Sequence, residues 1–169
     1  MSNPRIQLLG LLGLAAILFF FNTWGYDLWP ADEPRFGEIP REMMQSGNYL
    51  APQCNGEPYK EKPPLLFWAI VATSLPFGDV TEFSARMPSG LAALGTVLLT
   101  YLLARRLFGA KAGFWAALIL MTMTFFWTEA RSVRTDMLLT LWMTASLYAF
   151  ACWNESRKMG WLVVLYGAI

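Results

Sequence analysis

Long apolar segments separated by short charged turns limit most strongly how this chain can fold. Such segments cover residues 6–21, 65–77, 87–108, 112–127 and 137–153, and a last one begins at Trp161. Hydrophobic residues make up 56% of the 169 residues, whereas a soluble domain of this length needs a mostly polar surface. The lipid bilayer is therefore the solvent for much of the chain, and the sequence predicts an all-α fold with several transmembrane helices.

The predicted helices cover residues of about 6–24, 87–108, 112–129, 136–153 and 161 to the end. An outer loop, residues 25–86, is predicted to hold two helices at the membrane surface, at about 33–46 and 63–77. The last apolar segment stops at Ile169, well short of the about 20 residues that a spanning helix needs. We therefore expect a truncated fold that continues into further helices beyond Ile169, and we expect the isolated segment to be inactive.

The first apolar segment could instead be a cleaved signal peptide. It follows Arg5, but no small-x-small cleavage site comes after it. Trp24, Tyr26 and Trp29 come there instead, and aromatic residues of this kind gather at membrane–water interfaces. We therefore interpret the segment as a retained helix with a cytoplasmic N-terminus.

Residues 65–77 decide the topology of everything that follows them. Apolar runs of roughly 10–14 residues are more often interfacial than spanning. If this run is interfacial, the basic residues of the later turns lie on the cytoplasmic side, as the positive-inside tendency favours. These residues are Arg105, Arg106, Lys111, Arg157 and Lys158. The first loop and the turn before Asp136 then share the outer face, together with Arg86, Arg131 and Arg134, which need local partners there.

Residues 32–46 have the pattern of an amphipathic helix at the membrane surface. Asp32 followed by Glu33-Pro34 predicts a helix start with Asp32 as the N-cap. Gly47 predicts the end of the helix, and Pro40 predicts a kink within it. An N-cap aspartate needs no catalytic role, but a capping carboxylate would also be held rigidly at the membrane face.

Two further charged clusters have both a functional and a structural interpretation. Lys62 precedes Pro63-Pro64 and a helix start, which together favour phosphate binding, although a lysine at the headgroup level is also ordinary. Between residues 129 and 136, Arg131 and Arg134 favour a bound anion. Pairing with Glu129 and Asp136 explains them equally well, and Asp136 could be an N-cap.

Composition excludes several classes of function. The net charge of +1 gives no basis for binding nucleic acid. The absence of histidine leaves carboxylates, lysine and arginine for any chemistry, and Cys54 and Cys152 are too isolated to form a disulfide framework. Charges gather at the ends of the apolar segments rather than within them, which disfavours a transporter or flippase. An inactive membrane module stays open.

Several motifs together resemble a known family. They are Asp32-Glu33-Pro34-Arg35-Phe36-Gly37-Glu38-Ile39, Gly47-Asn48-Tyr49-Leu50-Ala51-Pro52, Asn55-Gly56-Glu57-Pro58-Tyr59-Lys60-Glu61-Lys62-Pro63-Pro64, Ser84-Ala85-Arg86-Met87-Pro88-Ser89, Leu103-Ala104-Arg105-Arg106-Leu107-Phe108-Gly109 and Arg134-Thr135-Asp136. In this order they are similar to the N-terminal part of bacterial membrane glycosyltransferases of the protein O-mannosyltransferase and lipid A aminoarabinose transferase type.

The resemblance implies a GT-C fold and an enzyme of the bacterial inner membrane that acts at the periplasmic face. It implies transfer of a sugar, with inversion, from a polyprenyl-phosphate donor to lipid A or another envelope glycan, or alternatively to a protein. Asp32 and Asp136 match the catalytic acidic residues, and Arg35 and Lys62 match the residues that bind the donor phosphate. We expect support from Glu33, Glu61, Arg131 and Arg134. No cofactor is expected to be required, and a role for a divalent metal is left open.

Overall fold

A computed structural model describes residues 4–29 and 31–168, so Ile169, where the last predicted segment stops, lies outside the described residues. The described part is mainly helical, as predicted. Its helices are α1 (Pro4–Phe20), α2 (Asp32–Ser46), α3 (Leu65–Ser74), α4 (Glu82–Phe108), α5 (Ala110–Thr122), α6 (Thr124–Ala130), α7 (Asp136–Ser156) and α8 (Met159–Gly167). A 3-10 turn, Leu75–Phe77, continues α3.

Two predicted helix boundaries were wrong. Helix α4 begins at Glu82 rather than at 87, because Thr81 and Ser84 form a reciprocal capping box at its start. Helix α1 ends at Phe20 rather than at 24. There the chain turns through Asn22, whose φ is +60°, and the Thr23 hydroxyl donates a hydrogen bond to the Phe20 carbonyl.

The helix predicted over residues 112–129 is two helices. Helices α5 and α6 meet at Met123 with a bend of 69°, and Met123 has an extended backbone. The hydroxyl of the preceding Thr122 donates to the Leu118 and Ile119 carbonyls. Such side-chain bonds compete with the helical ladder and can bend helices. Thr140 and Thr144 make the same bonds within the unbroken α7, so the Thr122 bonds accompany the break without accounting for it alone, and hydropathy could not locate it.

A small antiparallel hairpin interrupts the outer loop and is an exception to the all-α prediction. Its strands are β1 (Gln53–Cys54) and β2 (Glu57–Pro58). The turn residues Asn55 and Gly56 have φ values of +55° and +79°. Positive φ at both central positions is the requirement of a type I′ turn, for which Asn-Gly is the preferred pair.

The helices form two apolar cores. The first lies among α1, α4, α5, α6 and α7 and includes Phe19, Tyr101 and Met121. The second joins α2 and α3 to the start of α4 through Phe36, Ile39 and Phe67. Helix α2 runs through the buried Pro40 and ends at Gly47, which has φ of +69° and donates to the Met43 carbonyl, as predicted for this C-terminus.

By length and hydropathy, α4 is long and apolar enough to cross a bilayer, and the bent pair of α5 and α6 meets the same criterion together. Among residues 4–29 and 31–168 these are the candidate spans, while Ile6–Phe20 and Leu65–Phe77 are shorter apolar helices. The multi-pass topology therefore stays a prediction.

Arg86, one turn into α4, is buried with 1% of its surface exposed. Its guanidinium donates to the carbonyls of Thr23, Tyr26 and Asp27 at 2.7–2.9 Å. It also forms an ion pair with Glu33 of α2 at 2.9 Å and lies 4.0 Å from the centre of the Tyr26 ring. Arg86 thus fixes the segment after α1 against α2 and α4.

Glu33 completes this buried centre from the other side. Its carboxylate accepts hydrogen bonds from the backbone N–H of Trp29 at 2.8 Å and of Val133 at 2.7 Å. Val133 belongs to the turn between α6 and α7. The ion pair of Arg86 and Glu33 therefore connects the first loop to a turn about a hundred residues later.

We predict that Arg86→Gln in the full-length protein strongly destabilises the fold, because it leaves the Glu33 carboxylate buried without its cation. Breaking one partner of a buried ion pair costs about 3–5 kcal/mol. The midpoint of thermal unfolding in detergent measures the effect. Arg106→Gln is the matched control, since Arg106 pairs with the half-exposed Glu155, and we expect little change from it. Equal midpoints for the two variants would contradict this role of Arg86.

Candidate functional site

Asp32 is not the N-cap of α2, contrary to the sequence prediction. Ala31 holds the N-cap position and no side chain caps the helix, so Asp32 is the first helical residue. The N-cap prediction for Asp32 was wrong, because its carboxylate accepts a hydrogen bond from Arg35, one turn later, at 2.7 Å. Asp32 is half-exposed, so it is accessible from outside the protein.

Arg35 is held between two carboxylates. Besides Asp32 it contacts Glu61 at 3.2 Å, and its guanidinium lies 5.8 Å from the ring of Tyr59. The hydrogen bond with Asp32 raises the pKa of Arg35, so it stays a cation. Burial raises the pKa of Tyr59, whose hydroxyl donates to Glu61. The predicted residues Asp32, Arg35 and Glu61 therefore form one connected cluster.

A pocket of about 390 Å³ lies beside this cluster, and we call it the acidic pocket. It brings together the first loop and the turn between α6 and α7, and contains four of the predicted site residues. Its lining residues are Tyr26, Trp29, Asp32, Glu33, Trp127, Thr128, Glu129, Arg131, Ser132 and Arg134. Carboxylates and aromatic rings in one pocket are suited to a polar ring-shaped ligand such as a sugar.

The two arginines of the pocket have different partners. Arg131 donates to the carbonyl of Leu18 in the last turn of α1 at 2.9 Å and lies 4.9 Å from the Trp127 ring centre. Of the two alternatives, a bound anion or a carboxylate partner, the carboxylate is wrong for Arg131, because the C-terminal end of α1 offers it a carbonyl, which also accepts from the Trp127 indole N–H. Arg134 does contact a carboxylate, that of Glu129, at a long 3.7 Å.

Lys62 lies apart from the acidic pocket, at an apolar groove of about 450 Å³. We call this the α7 groove, and its lining residues are Lys62, Pro63, Leu65, Leu66, Thr135, Leu138, Leu139 and Trp142. Lys62 is exposed, and no carboxylate of residues 4–29 or 31–168 pairs with it. The α7 groove therefore has at one end a cation without a carboxylate partner among these residues.

The α7 groove continues along the same helix. A further apolar pocket of about 480 Å³ shares Leu139 with it and extends past Met143, Leu147 and Phe150 toward α8. Thr135, at the N-cap of α7, and Phe150 are fifteen residue steps apart, or about 22 Å at 1.5 Å per residue. The two neighbouring pockets together have a length that suits a long, thin apolar ligand.

Asp136 is the first residue of α7, and Thr135 precedes it at the N-cap position without a capping side chain. The alternative in which Asp136 is the N-cap of α7 is therefore wrong. Asp136 is exposed and lines neither cavity. In sequence it directly follows Arg134, which lines the acidic pocket, and Thr135, which lines the α7 groove. In the part of the chain that the structure describes, no group of three potential ligands is placed to hold a metal ion.

Sequence reasoning missed two residues that shape this site. The sequence does indicate that Arg86 needs a partner at the outer face. It does not indicate that this partner is Glu33. Glu129 was considered as an ion-pair partner. Nothing in its sequence context indicated that it would be buried, with 7% of its surface exposed, at the edge of a pocket.

Comparison with known proteins gives consistent similarities. Residues 61–169 match the family described as dolichyl-phosphate-mannose-protein mannosyltransferase. The chain is 35% identical over 164 residues to the undecaprenyl phosphate-α-4-amino-4-deoxy-L-arabinose arabinosyl transferase of Pseudomonas savastanoi pv. phaseolicola, an alignment that covers 92% of this chain and 30% of that protein. It is 37% identical to a second such transferase from Proteus mirabilis, over 97% of this chain and 31% of the relative.

A solved structure is similar to nearly the whole chain. The crystal structure of ArnT from Cupriavidus metallidurans bound to undecaprenyl phosphate superposes with a TM-score of 0.87 at 28% identity, over 95% of this chain and 30% of that one. The apo structure of the same protein gives a TM-score of 0.86 at 27% identity, over 99% of this chain and 32% of that one. The chain thus spans about 30% of the length of the relatives that it matches.

Proposed function

The chain belongs to the dolichyl-phosphate-mannose-protein mannosyltransferase family, and from that membership and the site we propose that it is the N-terminal part of a lipid-linked-sugar glycosyltransferase. The proposed donor is undecaprenyl phosphate carrying 4-amino-4-deoxy-L-arabinose, as in the names of its relatives. The proposed acceptor is lipid A or another envelope glycan at the periplasmic face of the bacterial inner membrane. Transfer proceeds with inversion at the anomeric carbon.

The juxtaposition of Lys62 with the α7 groove is the observation that carries this proposal. A polyprenyl phosphate is an anion attached to a long branched hydrocarbon chain. The groove offers about 22 Å of apolar surface along α7, and Lys62 offers a cation without a carboxylate partner among the described residues. A lysine in this position attracts the phosphate while the chain displaces lipid from the groove.

The first turn of α3 strengthens the same site. Helix α3 begins at Leu65, just after Lys62 and two prolines, and the Trp68 N–H is the first to bond back to Pro64. The preceding N–H groups of the first turn have no helical acceptor, so they and the helix dipole favour a phosphate at this end.

The reaction requires one bond to form and one to break. The acceptor oxygen attacks the anomeric carbon on the face opposite the phosphate. The bond from that carbon to the phosphate oxygen breaks, and polyprenyl phosphate leaves with the bonding electrons. Lys62 stabilises the charge that develops on the leaving phosphate. Arg35 is the second cation that we assign to the phosphate, which it would share with its partners Asp32 and Glu61, and the step is proposed without a metal.

The acidic residues at the site orient and deprotonate the acceptor. Asp32 is half-exposed on the wall of the acidic pocket, where it takes the proton of an acceptor hydroxyl. A phosphate acceptor is already ionised, so Asp32 would then orient it instead. We assign the second acidic role to Asp136, which directly follows a residue of each cavity, Arg134 and Thr135. Glu33, Glu61, Arg131 and Arg134 hold these groups in position.

The description of the matched family favours one second candidate, transfer of the sugar to a protein hydroxyl by the same site. The two candidates share the site and a polyprenyl-phosphate carrier, but the second transfers mannose rather than 4-amino-4-deoxy-L-arabinose. Incubating membranes that contain the full-length protein with each labelled donor in turn separates them, since the label enters either the glycolipid fraction or the protein fraction.

We predict that Lys62→Met in the full-length protein weakens binding of undecaprenyl phosphate by about tenfold or more, because a charge-assisted contact to the phosphate is lost. Binding in detergent micelles can be measured by microscale thermophoresis. Lys60→Met is the control, since Lys60 is exposed and lines neither cavity. If both variants bind as well as the unchanged protein, the α7 groove is not the donor site.

We predict that Asp32→Asn lowers kcat for transfer to a hydroxyl acceptor by about 10²–10⁴-fold, the contribution of a general base. Initial rates with a polyprenyl-phosphate sugar measure it. Asp27→Asn, in the same loop, should retain nearly full activity, because Asp27 contributes only its backbone carbonyl to the Arg86 centre. Full activity of Asp32→Asn would remove Asp32 from the mechanism.

We predict that Cys54, in strand β1, reacts with a membrane-impermeant maleimide from the periplasmic side. Burial raises the pKa of the Cys54 thiol, so the fraction of reactive thiolate and the labelling rate should rise as the pH increases toward that pKa. The buried Cys152 should stay unlabelled until the protein is unfolded. Labelling of Cys54 only in inverted vesicles would place the first loop in the cytoplasm and overturn the proposed location.

A further inference from the structure

Glu129 is the carboxylate of the acidic pocket whose charge is least compensated. It lies in the last turn of α6 with 7% of its surface exposed, and it lines the pocket. Its Oε1 is 3.7 Å from Arg134 Nε, beyond hydrogen-bond distance, and that arginine is itself 46% exposed. Its Oε2 is shielded and accepts no hydrogen bond from any described residue.

The other charges of the pocket are compensated elsewhere. Asp32 accepts from Arg35, and Glu33 pairs with the buried Arg86. Arg131 is bound to the Leu18 carbonyl and to the Trp127 ring. Neither of these arginine–carboxylate pairs leaves a cation free for Glu129. A buried carboxylate with a loose partner is costly unless a further donor completes it.

The surroundings of Glu129 fit a cyclic ligand that carries a positive charge. The rings of Trp29 and Trp127 line the same pocket, and Trp29 is 75% exposed, so it is free to cover an apolar face of a sugar ring. Aromatic faces also attract an ammonium group. Because a carboxylate shares its charge between both oxygens, a cation that reaches the Oε1 side stabilises the charge of the whole group.

We propose that Glu129 is a specificity-determining residue that binds the amino group of the transferred sugar in the acidic pocket. This inference rests on the proposed function, because it takes the donor to be an amino sugar. It explains why the enzyme would select an amino sugar rather than a neutral sugar. The ammonium group completes the partners of Glu129, whereas a hydroxyl at the same position leaves the carboxylate charge uncompensated.

The test compares two donors on the same carrier with the full-length protein in membrane vesicles. One is undecaprenyl phosphate with 4-amino-4-deoxy-L-arabinose, and the other is undecaprenyl phosphate with L-arabinose. The unchanged protein should prefer the amino donor in kcat/KM. Glu129→Gln should lower kcat/KM for the amino donor by roughly tenfold or more, the loss of a hydrogen bond between charged groups. It should leave the L-arabinose donor within about twofold, where no such bond is lost.

Two further variants separate recognition from stability. Glu129→Asp keeps the charge and should retain a preference for the amino donor, although weakened. Glu155→Gln removes a carboxylate from an arginine pair at the opposite end of α7 and should change neither donor. The amount of protein and its unfolding midpoint, measured for every variant, show whether each one folds.

Each outcome decides between the proposals. An equal loss with both donors means that Glu129 is only structural, and an effect confined to the KM of the acceptor assigns the pocket to the acceptor. Either result overturns the inference while leaving the proposed function in place. If the unchanged protein uses neither donor, the proposed function fails and the inference fails with it.

Discussion

The buried ion pair between Arg86 and Glu33 is the constraint on which the rest of this structure depends. Burying two charges is expensive, and here three backbone carbonyls and two backbone N–H groups complete their hydrogen bonding. These partners come from the segment after α1 and from the turn before α7, while the two charges themselves belong to α4 and to the start of α2. The pair therefore joins the first loop, α2, α4 and the turn that follows α6, which surround the acidic pocket.

The residues that pack the helices together are different from the charged residues of the site. The large core of the bundle holds α4 against its neighbours, and the smaller core holds α2 and α3 above its start. The carboxylates and arginines of the site lie where the two cores meet, so they have apolar support on two sides. The α7 groove opens from the same region. A phosphate at Lys62 and a sugar in the acidic pocket would thus lie on either side of the short turn that ends at Asp136.

Apolar periodicity and glycine positions predicted the helical class, the place of most helices and the end of α2 at Gly47, because these depend on neighbours within a few residues. The roles of Asp32 and Asp136 as caps were wrong, because a carboxylate near a helix start has alternatives. For Asp32 the alternative is Arg35, which Glu61 holds from 26 positions farther along the chain. The partner of Arg86 likewise depends on a contact 53 positions away that no local pattern encodes, and hydropathy alone does not locate the break at Met123.

The contacts also bear on how the chain crosses the membrane. Glu33 in the first loop bonds to Val133 in the turn before α7, so both must lie on the same face of any bilayer that the helices cross. Two residues on one face are separated by an even number of crossings. Helix α4 and the bent pair of α5 and α6 provide two, so a third crossing by residues 65–77 would put Glu33 and Val133 on opposite faces. Aromatic contacts at both ends of that segment agree, since Phe67 packs on Phe36 of α2 while Phe77 packs on Phe83 at the start of α4. The interfacial interpretation thus gains support that is independent of the distribution of basic residues.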